Sequence, residues 1–161
     1  MINFEPITKE TIYIAEEIIR SNSVYNILEN GVSERSTEEI EKQFLNPNTC
    51  SFFIKADETY IGLIDYMEKN PKDDTTWIGL LMIHQDYQGY GYGTMAYFEL
   101  ENHFKTLHIP KLRLAVLEKN TNGHHFWEGI GFTKYGQKEK DGNVLLCYEK
   151  EVSVKVMWRF F

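Results

Sequence analysis

The chain has 161 residues, with 17 basic against 24 acidic side chains and a formal net charge of −7. That length fits one domain, and 42% hydrophobic with 25% charged residues is an ordinary globular balance, which excludes disorder, collagen and coiled coil as whole-chain descriptions. The acidic excess argues against a nucleic-acid partner and suits a cationic one.

Cys50 and Cys147 lie far apart with no CxxC and no Cys/His cluster, so neither a disulfide framework nor a metal site is expected. The first residues, MINFEPITKE, lack the apolar stretch of a signal peptide. No run approaches the roughly 20 apolar residues of a membrane helix. These observations lead to the expectation of a cytoplasmic protein without membrane contact.

In chain order, residues 2–7 read as a strand. Thr8 caps a helix whose Ile12, Ala15, Ile18 and Ile19 share one face. Residues 21–35 read as a polar, mobile connection. Ser36 to Glu39 has the pattern of a capping box, followed by Ile40 and Phe44 one turn apart. Residues 50–56 and 59–68 read as a hairpin pair of strands around Asp57-Glu58. The nearly continuous apolar run 75–84 marks a central strand covered on both faces. Tyr97, Leu100, Phe104 and Leu107 recur at helical spacing, and Pro110 ends that element. Strands at 112–117, 131–135 and 144–148, with a short helix at 120–129, complete one α/β domain built on a mixed sheet.

The informative segment is Gln88-Gly89-Tyr90-Gly91-Tyr92-Gly93-Thr94, between the apolar strand and the long helix. Glycines let backbone amides converge on a ligand, and a helix start adds unpaired N–H donors and a positive dipole end. Together they suit a phosphate or pyrophosphate, with the Thr94 hydroxyl as one more donor. A P-loop is excluded because the chain has no Gly-Lys pair. The dinucleotide fingerprint fails because Thr94 or Ala96 stands where its last glycine belongs.

These residues resemble the acetyl-CoA motif [RQ]-x-x-G-x-[GA] of the GNAT superfamily of N-acetyltransferases, with Gln88, Gly91 and Gly93 in the fixed positions. A second match is Asn120, Trp127, Gly131 and Phe132, at the spacing of that family's downstream segment. The resemblance implies a single GNAT-like domain over 1–161, with a mostly antiparallel central sheet flanked by helices. It implies acetyl-CoA as co-substrate, no metal, and a primary amine of a small molecule or peptide as acceptor. Backbone groups of Met82 and Ile83 would pair with the pantetheine arm. The amides of Gln88, Gly89, Tyr90, Gly91, Tyr92, Gly93 and Thr94 would hold the pyrophosphate. Asn120 would bond the pantetheine or thiol end, and Trp127 would lie near the thioester sulfur.

The catalytic groups stay open. Many family members carry a tyrosine at the position of Trp127 to protonate the departing thiolate, and an indole N–H cannot serve as an acid. Many also carry a glutamate where Trp77 stands. Asp65, Tyr66, Glu68 and His84 are the candidates for the base that relieves the ammonium of its proton. Trp77 and Trp127 together suggest an aromatic-lined acceptor pocket. The alternating apolar tail 152–161 reads as a terminal strand that a second subunit covers, which predicts a homodimer. A CoA-binding regulator or sensor without turnover is the alternative to an enzyme.

Overall fold

In the computed structural model, residues 1–31 and 34–152 are described. Seven strands form one sheet: β1 (Ile2–Pro6), β2 (Cys50–Ala56), β3 (Thr59–Met67), β4 (Thr76–Ile83), β5 (Lys111–Leu117), β6 (Thr133–Lys140) and β7 (Asn143–Glu151). Their spatial order is β1-β2-β3-β4-β5-β7-β6. Every neighbouring pair is antiparallel except β4 and β5, which run parallel. The mixed α/β expectation holds. Strands β6 and β7 extend well beyond the expected 131–135 and 144–148. They close through Asp141-Gly142, whose φ values of 52° and 80° make the primed turn that matches strand twist.

Helices cover both faces. Helix α1 (Ile12–Arg20) and helix α3 (Thr37–Phe44) bury Ile12, Ile18, Ile19, Ile40 and Phe44 against Phe53, Leu63 and Met82. The Ser36 hydroxyl caps α3 by accepting from the Glu39 amide at 3.1 Å. Helix α4 (Tyr92–Thr106) sets Ala96, Tyr97, Leu100 and Phe104 on the opposite face, among Ile64, Tyr66, Ile78 and Leu114. Truncating a fully buried ring such as Phe104 to alanine costs about 3–5 kcal/mol. Alternate residues of β4 feed the two clusters, Ile78 and Ile83 into one and Leu80 and Met82 into the other. The strand is central, as its apolar run suggests.

One segment departs from expectation. Residues 23–30, read as a mobile connection, form helix α2 (Ser23–Asn30), and Gly31 ends it in the left-handed conformation at φ 77°. Buried Asn22 and Asn26 tie α2 to α1 through the carbonyls of Ile18 and Ile19. Buried hydrogen bonds, invisible in a hydropathy pattern, hold this helix. The apolar tail 152–161 and the homodimer drawn from it fall, all but Val152, outside the described residues. The last described tie is the Val152 amide on the Pro110 carbonyl, 2.9 Å. No helix among the described residues is long and apolar enough to cross a membrane.

Two irregularities give the sheet its opening. Strands β4 and β5 pair only at Thr76–Leu112 and Trp77–Arg113 and then diverge. Beside that junction the Arg113 guanidinium bonds Asp73 and Glu149, both at 3.0 Å, and the Trp77 indole N–H donates to Asp73 at 2.8 Å. The second irregularity is a bulge between β3 and β4. Tyr66 pairs with Ile78 and Asp65 with Leu80, which leaves Gly79 as the extra residue.

Candidate active site

Between the diverging strands opens a cavity of about 830 Å³, walled by residues 78–83 of β4 and 114–117 of β5. Its ladder alternation can be read from the His84 amide, which donates to the Ile61 carbonyl at 2.8 Å. That bond turns the backbone of Met82 toward β3 and the backbones of Leu81 and Ile83 toward the opening. The strand edge that faces the opening is therefore that of Leu81 and Ile83, whereas Met82, expected there with Ile83, turns its backbone to β3. The Ile83 carbonyl already accepts from Asn22 Nδ2 at 3.1 Å and Gln88 Nε2 at 2.8 Å. Its N–H carries the edge.

At the end of β4 the glycine turn opens helix α4. Gly89 and Gly91 have φ of +86° and +85°, a conformation that side chains disfavour, and nothing stands within 4 Å of a Cβ at either. Gly91 is the N-cap of α4 without a side-chain cap bond, so the first amides, of Tyr92, Gly93 and Thr94, have no partner within the helix. At Gly93 a Cβ would lie 3.3 Å from the Phe126 ring, a tight approach to which that ring would have to yield. The Tyr90 ring is 73% exposed, whereas Tyr92 leans on Tyr87 with centroids 6.4 Å apart. The Gln88 side chain does not face the cavity mouth as a ligand donor: it turns back to bond Asn22 Oδ1 at 2.6 Å as well as Ile83.

Helix α5 (Thr121–Gly129) closes the β5 wall. Asn120 caps it, its Oδ1 accepting from the Gly123 amide at 2.9 Å, which leaves Nδ2 as the donor at the cavity. A Cβ on Gly123 would come within 2.6 Å of that nitrogen, so glycine lets the cap form. Trp127 lines the cavity and is fixed edge-on by Tyr97, Phe126 and Phe132 at centroid distances of 4.9–5.8 Å. His124 binds the Tyr148 hydroxyl at 2.8 Å and the Glu118 carbonyl at 3.1 Å. It is held as a structural group.

The four candidate bases part company. Tyr66 is 4% exposed and packs edge-on to Phe104 on the α4 side. Glu68 is exposed just past β3. His84 caps the turn after β4, its Nδ1 accepting from the Asp86 amide at 3.0 Å. Asp65 is buried beside the Gly79 bulge, its Oδ1 accepting from Ser51 Oγ at 2.7 Å. Burial pushes its carboxyl above the usual range, against the pull of the Ser51 hydrogen bond. Trp77 lies at the strand junction under Lys138, whose ammonium sits 4.7 Å from the ring centroid, so only Trp127 of the two indoles reaches the cavity.

Two walls escaped the sequence reading. Tyr25, Leu28 and Glu29 of α2 form one, with the Tyr25 hydroxyl donating to Glu29 at 2.9 Å. Burial and the Glu29 carboxylate raise the Tyr25 phenol far above its ordinary range. Lys140, Asp141 and Asn143 at the β6–β7 turn form the other. Gly31 as a helix stop and Asp141-Gly142 as a hairpin pair were the available signals.

The profile of the acetyltransferase (GNAT) family matches residues 15–132, most of the chain. The chain belongs to that family. Among solved structures it is similar to an acetyltransferase from Thermus thermophilus, at 19% identity and TM-score 0.79, covering 94% of this chain and 97% of that one. It also resembles the ribosomal-protein-S18-alanine N-acetyltransferase of Escherichia coli, at 13% identity and TM-score 0.73 over the whole of both chains. A third is the spermidine N-acetyltransferase of Vibrio cholerae in complex with CoA and spermine, at 16% identity and TM-score 0.72, covering 93% and 95%. At these identities the likeness establishes a shared fold. No curated protein sequence matches the chain.

Proposed function

We propose that this GNAT protein transfers an acetyl group from acetyl-CoA to a primary amine of a small molecule or peptide. The observation that carries the reading is the open slit between β4 and β5, which runs straight into the unpaired amides of the glycine turn. A pyrophosphate fits those amides, whose glycines leave the approach bare. The pantetheine arm fits the edge of Leu81 and the N–H of Ile83 as an added strand. At about 3.3 Å per residue, the path from Ile83 to Gly79 is roughly 13 Å, which brings the thioester to the bulge, with Asn120 Nδ2 and Trp127 across from it.

The acceptor enters between α2 and the β6–β7 turn, where Glu29 and Asp141 face the same cavity with Lys140. Two carboxylates against one ammonium, with the Tyr25 ring beside them, support a cationic amine. The chain's own residues must relieve that amine of a proton, because at pH 7 only about one lysine-like amine in a thousand is neutral.

The test is a melting comparison of acetyl-CoA, CoA, ATP and NAD, followed by thiol release with an amine panel. At a hundred times its dissociation constant a native-state ligand adds about 2.7 kcal/mol, several degrees for a domain this size. Shifts with both CoA species but neither nucleotide, then amine-dependent thiol release, support the proposal. A CoA-binding regulator is the second reading, favoured by the indole of Trp127 where a proton-donating phenol would stand. CoA shifts without turnover on any amine would select it.

A further inference from the structure

We infer that Asp65 is the general base of the transfer, reaching the acceptor amine across the bare face of Gly79. It rests on the transferase reading above and goes beyond it by assigning the proton transfer to one residue. Three observations converge on this place. The carboxylate is 6% exposed, on the face of the sheet shared with Leu63, Leu80 and α1, the side from which α2 walls the acceptor end of the cavity. Gly79, the extra residue of the bulge, lines the cavity, and a Cβ built on it would stand 3.4 Å from Asp65 Oδ2. The glycine thus leaves open a passage that any side chain would cap. Finally, the Ser51 and Thr49 hydroxyls lie beside the same carboxyl and hold it in place at the bulge.

Ser51 holds Oδ1 at 2.7 Å and fixes the carboxylate plane, leaving Oδ2 toward Gly79. An amine at the bulge, or one water relaying to it, comes within hydrogen-bond reach of Oδ2. The ammonium gives its first proton to Oδ2, and the freed lone pair forms the N–C bond to the acetyl carbon. The C–S bond breaks, and the second nitrogen proton passes to the thiolate through solvent. The products are the N-acetylated amine and CoA thiol, and Asp65 returns its proton to water. What acts on the carboxyl is burial first and then the Ser51 and Thr49 hydroxyls, with no charged neighbour among the described residues. Burial raises its affinity for a proton toward that of a working base.

The experiment compares unaltered protein, Asp65→Asn and Gly79→Ala with acetyl-CoA and two probes, spermidine and a short peptide with a free N-terminus. Asp65→Asn should lower kcat/KM for the amine by about a hundredfold or more. It should leave CoA affinity by calorimetry unchanged and remove the acid limb of the pH profile. Its fold is protected, because asparagine still accepts from Ser51 and no longer suffers the cost of a buried charge, so its melting point at neutral pH should equal or exceed that of the parent. Gly79→Ala places its Cβ at ordinary contact distance, so it should fold and bind CoA yet lose turnover with the same amines. Full activity and an intact acid limb in Asp65→Asn, or parental turnover in Gly79→Ala, overturns the assignment. CoA binding without amine-dependent thiol release in the unaltered protein overturns the transferase reading instead, and the assignment with it.

Discussion

The two ends of the cavity are built from different materials. At the end that the proposed function gives to the donor, the contacts on offer are backbone amides of Leu81, Ile83 and the turn from Gly89 to Thr94, held by strand geometry and by glycines. At the end that the proposed function gives to the acceptor they are side chains of Tyr25, Glu29, Lys140 and Asp141, on a short helix and a hairpin tip. Backbone recognition depends on where glycine stands and tolerates changes of side chain. Side-chain recognition is rewritten by single substitutions. The donor end therefore leaves a spaced signature in the sequence, and the acceptor end leaves scattered polar residues.

The largest expected effect comes from breaking the backbone end. Gly91→Val forces a β-branched residue into φ +85°, adding about 1–2 kcal/mol of strain and a side chain over the amides. Calorimetry should show CoA affinity falling by about a hundredfold while circular dichroism stays native. Unchanged affinity would mean that the turn does not bind the donor.

A smaller effect should come from the link between the two ends. Gln88 bonds both Asn22, at the start of α2, and the Ile83 carbonyl, on the donor edge. Each net hydrogen bond is worth about 1 kcal/mol, so Gln88→Ala should raise KM for acetyl-CoA and for the amine together, each by about fivefold. A change confined to the amine would show that the ends are independent.

Glu29→Gln and Asp141→Asn sharpen the contrast from the other side. Both carboxylates are exposed, where a charge pair is worth about 0–1 kcal/mol, so KM for spermidine should rise by about two- to fivefold each. KM for acetyl-CoA should not move.

The smallest effect lies at the strand junction. Burial raises the Asp73 carboxyl, but the Trp77 and Thr75 hydrogen bonds and the Arg113 guanidinium outweigh it, leaving the group below its ordinary range. A depressed carboxyl stabilises the fold above its unfolded pKa, and that contribution disappears as pH falls through the lower folded value. Arg113→Ala should weaken this acid-side dependence in pH-scanned melting, by about 1 kcal/mol for this half-buried pair at the surface.

Legibility followed the same division. The order of strands and helices, the central place of β4 and the glycine turn were readable, because each has a periodicity or spacing of its own. Helix α2 was not, since what fixes it is Asn22 and Asn26 bonding carbonyls of α1, and hydropathy treats buried asparagine as solvent-loving. The separation of the four candidate bases was not readable either. Strand alternation puts Asp65 and Tyr66 on opposite faces, but only the packed helices reveal which face meets the cavity. The lone glycine at 79 was the sign of a bulge, masked by the apolar residues around it.

The short junction of β4 with β5 has a mechanical consequence. With two residue pairs joining β4 to β5, the hydrogen-bond ladder is thinnest there, between β1 to β4 on one side and β5 to β7 on the other. A molecule threaded through the slit and bonded along β4 would act as mortar between them. Amide exchange at Leu81 and Ile83 would then slow on loading, and the chain's resistance to proteases would follow the supply of its donor.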